Sequence, residues 1–550
     1  MSMTGAQILI EGLLREQVDH IFGYAGATIC PVVDVLRATP QIGYTLVRTE
    51  QNAGHMASGY ARVTGKVGVC MVTSGPGATN LITGIATAYM DSIPMVAITG
   101  QVPSHLLGRD IFQEVDITGA VTPFTKHTYL VKDAAQLPRI IKEAFYIAAT
   151  GRPGPVLIDI PSDVQEQTVQ NVTFPESVII RGYNPSVRGN DKQIANVAEA
   201  ISRASRPVIC AGGGVFLADA QEELLTFARR TGIPVVTTMM GLSLLETGDE
   251  LNMGMIGAHG NACANKALAK SDLLIMIGTR AADRAIISST GAIISPDEIE
   301  KRMPSIHIDV DPAEIGKNMR ATVPLVGNVK VILHQLMERK ITVSCDEWRE
   351  TLRRQRTEEL QRDFPSRPGS VFPGRLFRLL GQKLRRDAAI CVDVGQNQLW
   401  ACKHLVLQGG RLLTSGGLGT MGYSLGAAIG VKTAQPQRQT VVICGDGSFQ
   451  MMMNELATLR SKGQDIKIVL LQNGVLGLVN QIQHKAPYHG AFGVALEGDP
   501  DFAAVAAAYG MDSITLTKEA QMEQALDDLL AHEGSCLLIA RVDAGCCTTD

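Results

Sequence analysis

Charge of one sign is what this sequence most clearly lacks: 50 lysines and arginines stand against 54 aspartates and glutamates in 550 residues, a formal net charge of −4. There is no Lys/Arg-rich run, so no broad positive field exists for a polyanion, and nucleic acid is not an expected partner. No uncharged apolar stretch reaches the roughly 18 residues of a membrane span. The opening MSMTGAQILIEGLLREQ turns amphipathic at once, without a basic segment or a small-residue cleavage site. No membrane and a cytoplasmic location are therefore expected. The 11 cysteines include no C-x-x-C pair. Cys70, Cys210, Cys391 and Cys444 fall in apolar runs and read as reduced core residues; Cys546 and Cys547 are expected to be exposed and without a role. Charged residues make up only 19% against 45% hydrophobic, which leaves ample material for cores and little for disordered tails.

What is present is an alternation. VGVCMVTS precedes ATNLITGIATAYMDS, and VVICGDG precedes FQMMMNELATLRSK, with KIVLLQN beyond it. Short β-rich runs alternating with helical periodicity predict an α/β fold of doubly wound parallel sheets with helices on both faces. Residues 165 to 190 and 347 to 375 lose the alternation, gain prolines and polar side chains, and read as linkers. They leave three expected units, 1–165, 190–340 and 370–550, each of ordinary domain size.

Open parallel sheets bind ligands outside the carboxyl ends of their strands. Gly is 55 of 550 residues and clusters at such exits, in TSGPGATN, CAGGGV, SGGLGTMG and CGDGSF, where a bare backbone can approach a phosphate. The stretch GDGSFQMMMNELATLRSKGQDIKIVLLQNG, residues 445 to 474, reads as a strand exit, a helix and a second strand. One right-handed crossover brings Asp446 and Asn473 to the same sheet edge. A carboxylate and an amide oxygen beside glycine N–H groups make a site for a hard divalent cation whose coordination is completed by phosphates and water. The competing reading is that Asp446 only caps the helix after it. Likewise Glu50, in YTLVRTEQNAGHMASGYARVTGK, could be a favourable charge at the positive end of a helix and nothing more.

G-D-G followed some 25 residues later by asparagine resembles the metal-diphosphate motif of thiamine diphosphate (ThDP) enzymes. The resemblance implies that Asp446, Asn473 and the carbonyl of Val475 bind Mg²⁺, and that Gly445, Gly447, Ser448, Gly395, Gln396 and Asn397 surround the diphosphate. It places Glu50 on the pyrimidine N1′, where a carboxyl group promotes proton removal from the thiazolium. Long segments narrow the likeness: TSGPGATNLITGIATAYMDSIPMVAITGQV, GRDIFQEVDITG, GRPGPVLIDIPSDVQ, HIDVDPAEIGKN and DVGQNQLW are together similar to the catalytic subunit of acetolactate synthases. That family implies decarboxylation of pyruvate, ligation to a second 2-oxoacid to give 2-acetolactate, and a place in branched-chain amino acid biosynthesis. It implies a homodimer or homotetramer with sites between chains, and a small regulatory subunit as a further partner. Met421, with Gly419 before it, is placed under the cofactor rings. Phe112 and Gln113 are placed along the substrate channel with Lys126 nearby, and Arg284 on the carboxylate of the second 2-oxoacid, a task suited to a guanidinium fork. In the middle unit, Gly212 and Gly213, Gly257 and His259, Gly278 and Arg280, and Asp309 and Asp311 stand in segments similar to those that embrace a structural FAD.

The sequence departs from the family at several points. TRAADR replaces ARFDDR, Ala258 replaces a methionine and Ile482 a tryptophan; the last two enlarge the pocket for the incoming acceptor. Asn397 replaces a histidine, and an amide still donates a hydrogen bond. Two other readings stay open: another ThDP-dependent 2-oxoacid decarboxylase or carboligase with a different or larger acceptor, and a flavoenzyme of the pyruvate oxidase type.

Overall fold

A computed structural model describes residues 2–282, 285, 303–364 and 369–548. Among the described residues three six-stranded sheets carry the architecture, each wholly parallel in its pairings. The α/β fold expected from the alternation is the one observed. The inner strands explain why: Val69 to Val72, Leu273 to Ile277 and Val441 to Cys444 are buried throughout, because helices cover both faces of a parallel sheet and each strand must be apolar on both sides.

In the first sheet the spatial order is Gly43–Leu46, His20–Tyr24, Gly68–Val72, Met95–Gln101, Pro155–Pro161, His127–Leu130. In the third it is Arg411–Thr414, Ala389–Val392, Thr440–Gly445, Lys467–Gln472, Cys536–Arg541, Asp512–Leu516. Both follow one winding rule, 2-1-3-4-6-5 in order of appearance. The middle sheet, Asn252–Met255, Val235–Thr237, Pro207–Ala211, Leu273–Ile277, Ser305–Asp309, Val323–Val326, follows another, 3-2-1-4-5-6, the order of dinucleotide-binding folds. A short antiparallel pair, Ser2–Thr4 with Thr168–Gln170, ties the start of the chain to the exit of the first unit. Among the described residues no helix is long and apolar enough to cross a membrane.

The two outer units share a core. The helix that carries Glu50 (Glu50–Thr64) lies against Ser424–Ala434, and the seam is set by glycines. A Cβ on Gly59 would stand 2.0 Å from the carbonyl oxygen of Ala427, and one on Gly430 would stand 1.9 Å from that of Met56, so the backbones touch directly. Buried Glu455 adds a polar clasp. Its Oε1 accepts from the backbone N–H of Arg48 (2.8 Å) and Thr49 (3.0 Å) and from Asn52 Nδ2 (3.1 Å), and its Oε2 from the Thr458 hydroxyl (2.6 Å).

Three local expectations change. The stretch 347–375 is no simple linker: Asp346–Gln361 is a helix whose Trp348 and Leu352 enter the middle core. FQMMMNELATLR is broken into Asp446–Gln450, a 3₁₀ turn Met453–Glu455 and Leu456–Lys462, with the turn delivering Glu455 to its clasp. Cys546 is buried at 1% exposure rather than exposed, and Cys547 is half-buried, because the segment after the last strand folds back onto the third unit.

Candidate active site

Winding 2-1-3-4-6-5 places a switch point between the first and third strands of each outer sheet, where neighbouring connections leave in opposite directions and open a crevice. In the third sheet those strands end at Val392 and Gly445, which delivers Gly395, Gln396, Gly445 and Asp446 to one edge. Asn473 follows the adjacent strand, paired through Gly445 and Leu471. Asp446 is buried at 2% exposure. Its Oδ1 accepts from the Gly447 N–H (3.0 Å), and its Oδ2 from the Asn473 (2.9 Å) and Gly474 (2.6 Å) N–H groups. Burial raises its pKa above the usual carboxylate range, against those three hydrogen bonds and with Asp499 nearby adding to the rise.

A carboxylate offers about four lone-pair directions, so one on Oδ1 remains. Asn473 Oδ1 accepts from Val475 N–H at 3.2 Å and also keeps a lone pair. These are hard oxygen donors, few in number, as Mg²⁺ prefers when phosphates and water complete its shell. No group of three or more His, Cys, Asp or Glu able to hold a metal occurs among the described residues, and the rest of a cation's shell here would come from backbone carbonyls, water or a ligand. The donor set fits a metal-bound diphosphate. Around it Gly395 has φ +142° with Asn397 Oδ1 2.6 Å from where its Cβ would be, and Met421 Cε stands 3.6 Å from the Cβ position of Gly447. Ser448 Oγ accepts from the Gly445 N–H at 3.1 Å. Asn397 Nδ2 donates to the Asp393 carbonyl at 2.6 Å, and Gly419 forms part of a turn at φ +74°.

Asp393 was not singled out from the sequence. Fully buried, it accepts from Val394 N–H (2.9 Å), Gly422 N–H (2.9 Å), Ser424 N–H (2.8 Å) and the Ser424 hydroxyl (2.7 Å). It joins the turn before Gly395 to the turn that carries Met421.

In the first unit Glu50 opens its helix and accepts from Asn80 Nδ2 at 3.0 Å. The Cβ position of Gly77 lies 3.4 Å from Glu50 Oε1, and that of Gly75 lies 2.8 Å from Gln113 Cβ, so Glu50 and Gln113 flank one helix N-terminus (Pro76–Met90). Gln113 has φ +62° and Phe112 is 87% exposed. Lys126 is turned elsewhere. Its ammonium donates to the carbonyls of Ile147 and Thr150 (2.6 Å to the latter) and to the Tyr183 hydroxyl (3.0 Å), capping a helix end, and burial pulls its pKa down to about 8. Arg284 lies outside the described residues.

The middle unit contributes a cavity of about 760 Å³ at its own switch point, between the exits of Pro207–Ala211 and Leu273–Ile277. Gly213, His259, Gly278, Arg280 and Asp309 line it. Gly212 packs behind, its Cβ position 2.3 Å from the Gly278 carbonyl oxygen; Gly257 is held by both ends of the Asn265 amide; Asp311 faces Arg152 at 3.4 Å. Arg280 Nη1 donates to the Met90 carbonyl at 2.7 Å, and desolvation lowers its pKa. Burial raises Asp309 to about 6. Sequence reasoning missed that the wall is completed from all three units, by Arg62 and Asp91 of the first and by Gly416 and Gly417 of the third. Gly417 N–H donates to Asp91 Oδ1 at 2.7 Å, and Arg62 pairs with Asp91 at 2.6 Å. The size and the 3-2-1-4-5-6 winding fit a dinucleotide.

Fold and strand-exit site together are those of a thiamine diphosphate enzyme. Family models described as the thiamine pyrophosphate enzyme N-terminal TPP binding domain, central domain and C-terminal TPP binding domain match residues 3–120, 194–336 and 393–540. The chain is 43% identical to an acetolactate synthase of Arthrospira platensis, over 98% of this chain and 94% of that protein. It is 43% identical to an acetolactate synthase large subunit of Corynebacterium glutamicum (95% and 84%) and 38% identical to one of Haemophilus influenzae (98% and 94%). The chain belongs to the acetolactate synthase family.

Proposed function

We propose that this chain is a catalytic subunit that removes CO₂ from pyruvate and joins the remaining two-carbon unit to the carbonyl carbon of a second 2-oxoacid, giving 2-acetolactate when that acceptor is pyruvate. The observation that carries the reading is the meeting of Asp446 and Asn473 at adjacent strand exits, beside a glycine cradle and Met421. Thiamine diphosphate, when bound, supplies the electron sink for loss of CO₂. Asp446 and Asn473 hold its diphosphate through Mg²⁺, and Met421, braced by Asp393, supports its rings. Glu50 holds a proton on the pyrimidine nitrogen, while Asn80 and the Glu455 clasp fix the turn that presents it. The cavity of the middle unit holds FAD as a structural group, with Arg280 and the glycine exits against it, and Arg284 takes the acceptor carboxylate.

Phe112 and Phe492 are 87% and 88% exposed, and large apolar side chains left in water favour a partner surface. That exposure supports a site completed by Glu50 of one copy and Asp446 of another.

The test is release of CO₂ and 2-acetolactate from pyruvate by the purified protein loaded with ThDP and Mg²⁺. Glu50→Gln is expected to lower turnover at least a hundredfold, within the usual contribution of a proton-transfer group; unchanged turnover rejects the role. The product profile with added 2-oxobutyrate identifies the acceptor.

A further inference from the structure

The Asn473 side chain, itself half-buried, begins a line of amides that runs away from Asp446 into the interior towards residues 546–548. Asn473 Nδ2 donates to Gln396 Oε1 (3.3 Å). Gln396 Nε2 donates to Gln481 Oε1 (3.1 Å) and to the backbone carbonyl of Cys546 (2.9 Å). Gln481 Oε1 also accepts from the Thr548 N–H (3.1 Å) and hydroxyl (3.2 Å), and Gln481 Nε2 donates to the Thr548 hydroxyl (3.1 Å). Gln396, Gln481, Cys546 and Thr548 are 5%, 7%, 1% and 3% exposed, so water does not compensate a mismatch.

A primary amide can turn end for end, exchanging donor and acceptor. Backbone groups cannot. The Cys546 carbonyl only accepts, so Gln396 must present its NH₂ there; the Thr548 N–H only donates, so Gln481 must present its oxygen. These two fixed points agree with the Gln396-to-Gln481 bond, and they leave the Gln396 oxygen facing Asn473, which must answer with its NH₂. The Asn473 oxygen is thereby turned the other way. Gly477 leaves the room: a Cβ there would stand 2.0 Å from Gln396 Oε1 and 3.0 Å from Asn473 Nδ2.

We infer that the backbone of residues 546–548, acting through Gln481 and Gln396, positions the Asn473 side chain so that its oxygen, and not its amino group, faces the cation beside Asp446. The inference rests on the reading of Asp446 and Asn473 as cation ligands. Gln396 and Gln481 are positioning residues for a ligand; the segment 546–548 sets the direction of the line at its far end, and the Val475 N–H, 3.2 Å from Asn473 Oδ1, agrees with it at the near end.

The test is Mn²⁺ binding, followed by electron paramagnetic resonance of free Mn²⁺ in the presence of ThDP. Removing residues 546–550 is expected to raise the Mn²⁺ dissociation constant about tenfold, the worth of one buried hydrogen bond. In the Asn473→Asp background, where both ends of the side chain are oxygen, the same removal is expected to change it less than twofold. Equal weakening in both backgrounds assigns the segment to packing alone and overturns the inference, as does no weakening in either. Gln396→Met in the full chain provides the same comparison should the shortened protein not fold. Mn²⁺ binding that is undiminished by Asp446→Ala would instead refute the ligand reading itself, so the two failures are distinguishable.

Discussion

Asp159 is a carboxyl group buried at 1% exposure in the first sheet, with the Thr99 hydroxyl 2.6 Å from Oδ1 and Gln101 Nε2 3.0 Å from Oδ2. Burial pushes its pKa up to about 7 from 3.8, the two hydrogen bonds oppose the rise, and Asp116 adds to it. The folded protein therefore holds a proton there between about pH 4 and 7 that the unfolded chain does not. With the folded pKa above the unfolded one, this group's contribution to stability falls as pH rises through that window and is flat outside it. Some three pK units at about 1.4 kcal/mol each set a ceiling of about 4 kcal/mol. Asp159→Asn cannot titrate, yet it keeps both contacts, because its oxygen accepts from Gln101 while its NH₂ donates to a Thr99 hydroxyl turned to accept. Urea unfolding of wild type and variant at pH 5 and pH 8 isolates the effect, since other titrating groups cancel in the difference. The variant is expected to gain about 2–3 kcal/mol on wild type between the two pH values, the two pK units or so that lie between pH 5 and the folded pKa. Parallel pH dependences would show that Asp159 is ionised in the native state and refute the reasoning.

Asp393→Asn replaces an acceptor of four hydrogen bonds with a group that must aim N–H at N–H; a loss of about 2–4 kcal/mol in unfolding free energy is expected, with weaker ThDP binding by fluorescence titration, and a variant matching wild type in both would remove Asp393 from the support of Met421. Gly430→Ala forces a methyl group to within 1.9 Å of the Met56 carbonyl and is expected to cost about 1–3 kcal/mol, read as a lowered midpoint in calorimetry; no change would mean the seam yields freely. Gly477→Ala collides with Gln396 Oε1 at 2.0 Å and is expected to weaken Mn²⁺ binding about tenfold or more while shifting the melting temperature by only a few degrees; intact binding would show that the amide line does not need that space.

Sequence patterning reaches as far as local chemistry does. Strand runs apolar on both faces announce parallel sheets, and a strand followed by Gly-Asp-Gly announces a turn at a sheet edge, so the neighbourhood of Asp446 and Asn473 was legible. Residues 347–375 were misread because Trp348, Leu352 and Arg356, spaced four apart and all buried, form too narrow a stripe among charges. The rest depends on contacts between remote segments. Gln396 meets Cys546 across 150 residues and Gly417 meets Asp91 across 326, and neither pair bears a local signature, because periodicity reports which face of an element is buried and not what buries it. Glu455 was hidden for the same reason: its partners, Arg48 and Thr49, lie in another unit.

The glycine seam between the outer units has a mechanical consequence. With no side chains to slide over one another at Gly59 and Gly430, and a buried acid clasping the neighbouring turn, the first and third units have no layer along which they can shear, and heat must dissolve them as one block. The middle unit meets the third through side chains instead, Leu242 and Met255 entering its core and the Thr247 hydroxyl accepting from the Leu407 N–H at 2.8 Å, and a ligand in the cavity that all three units line would add to that coupling.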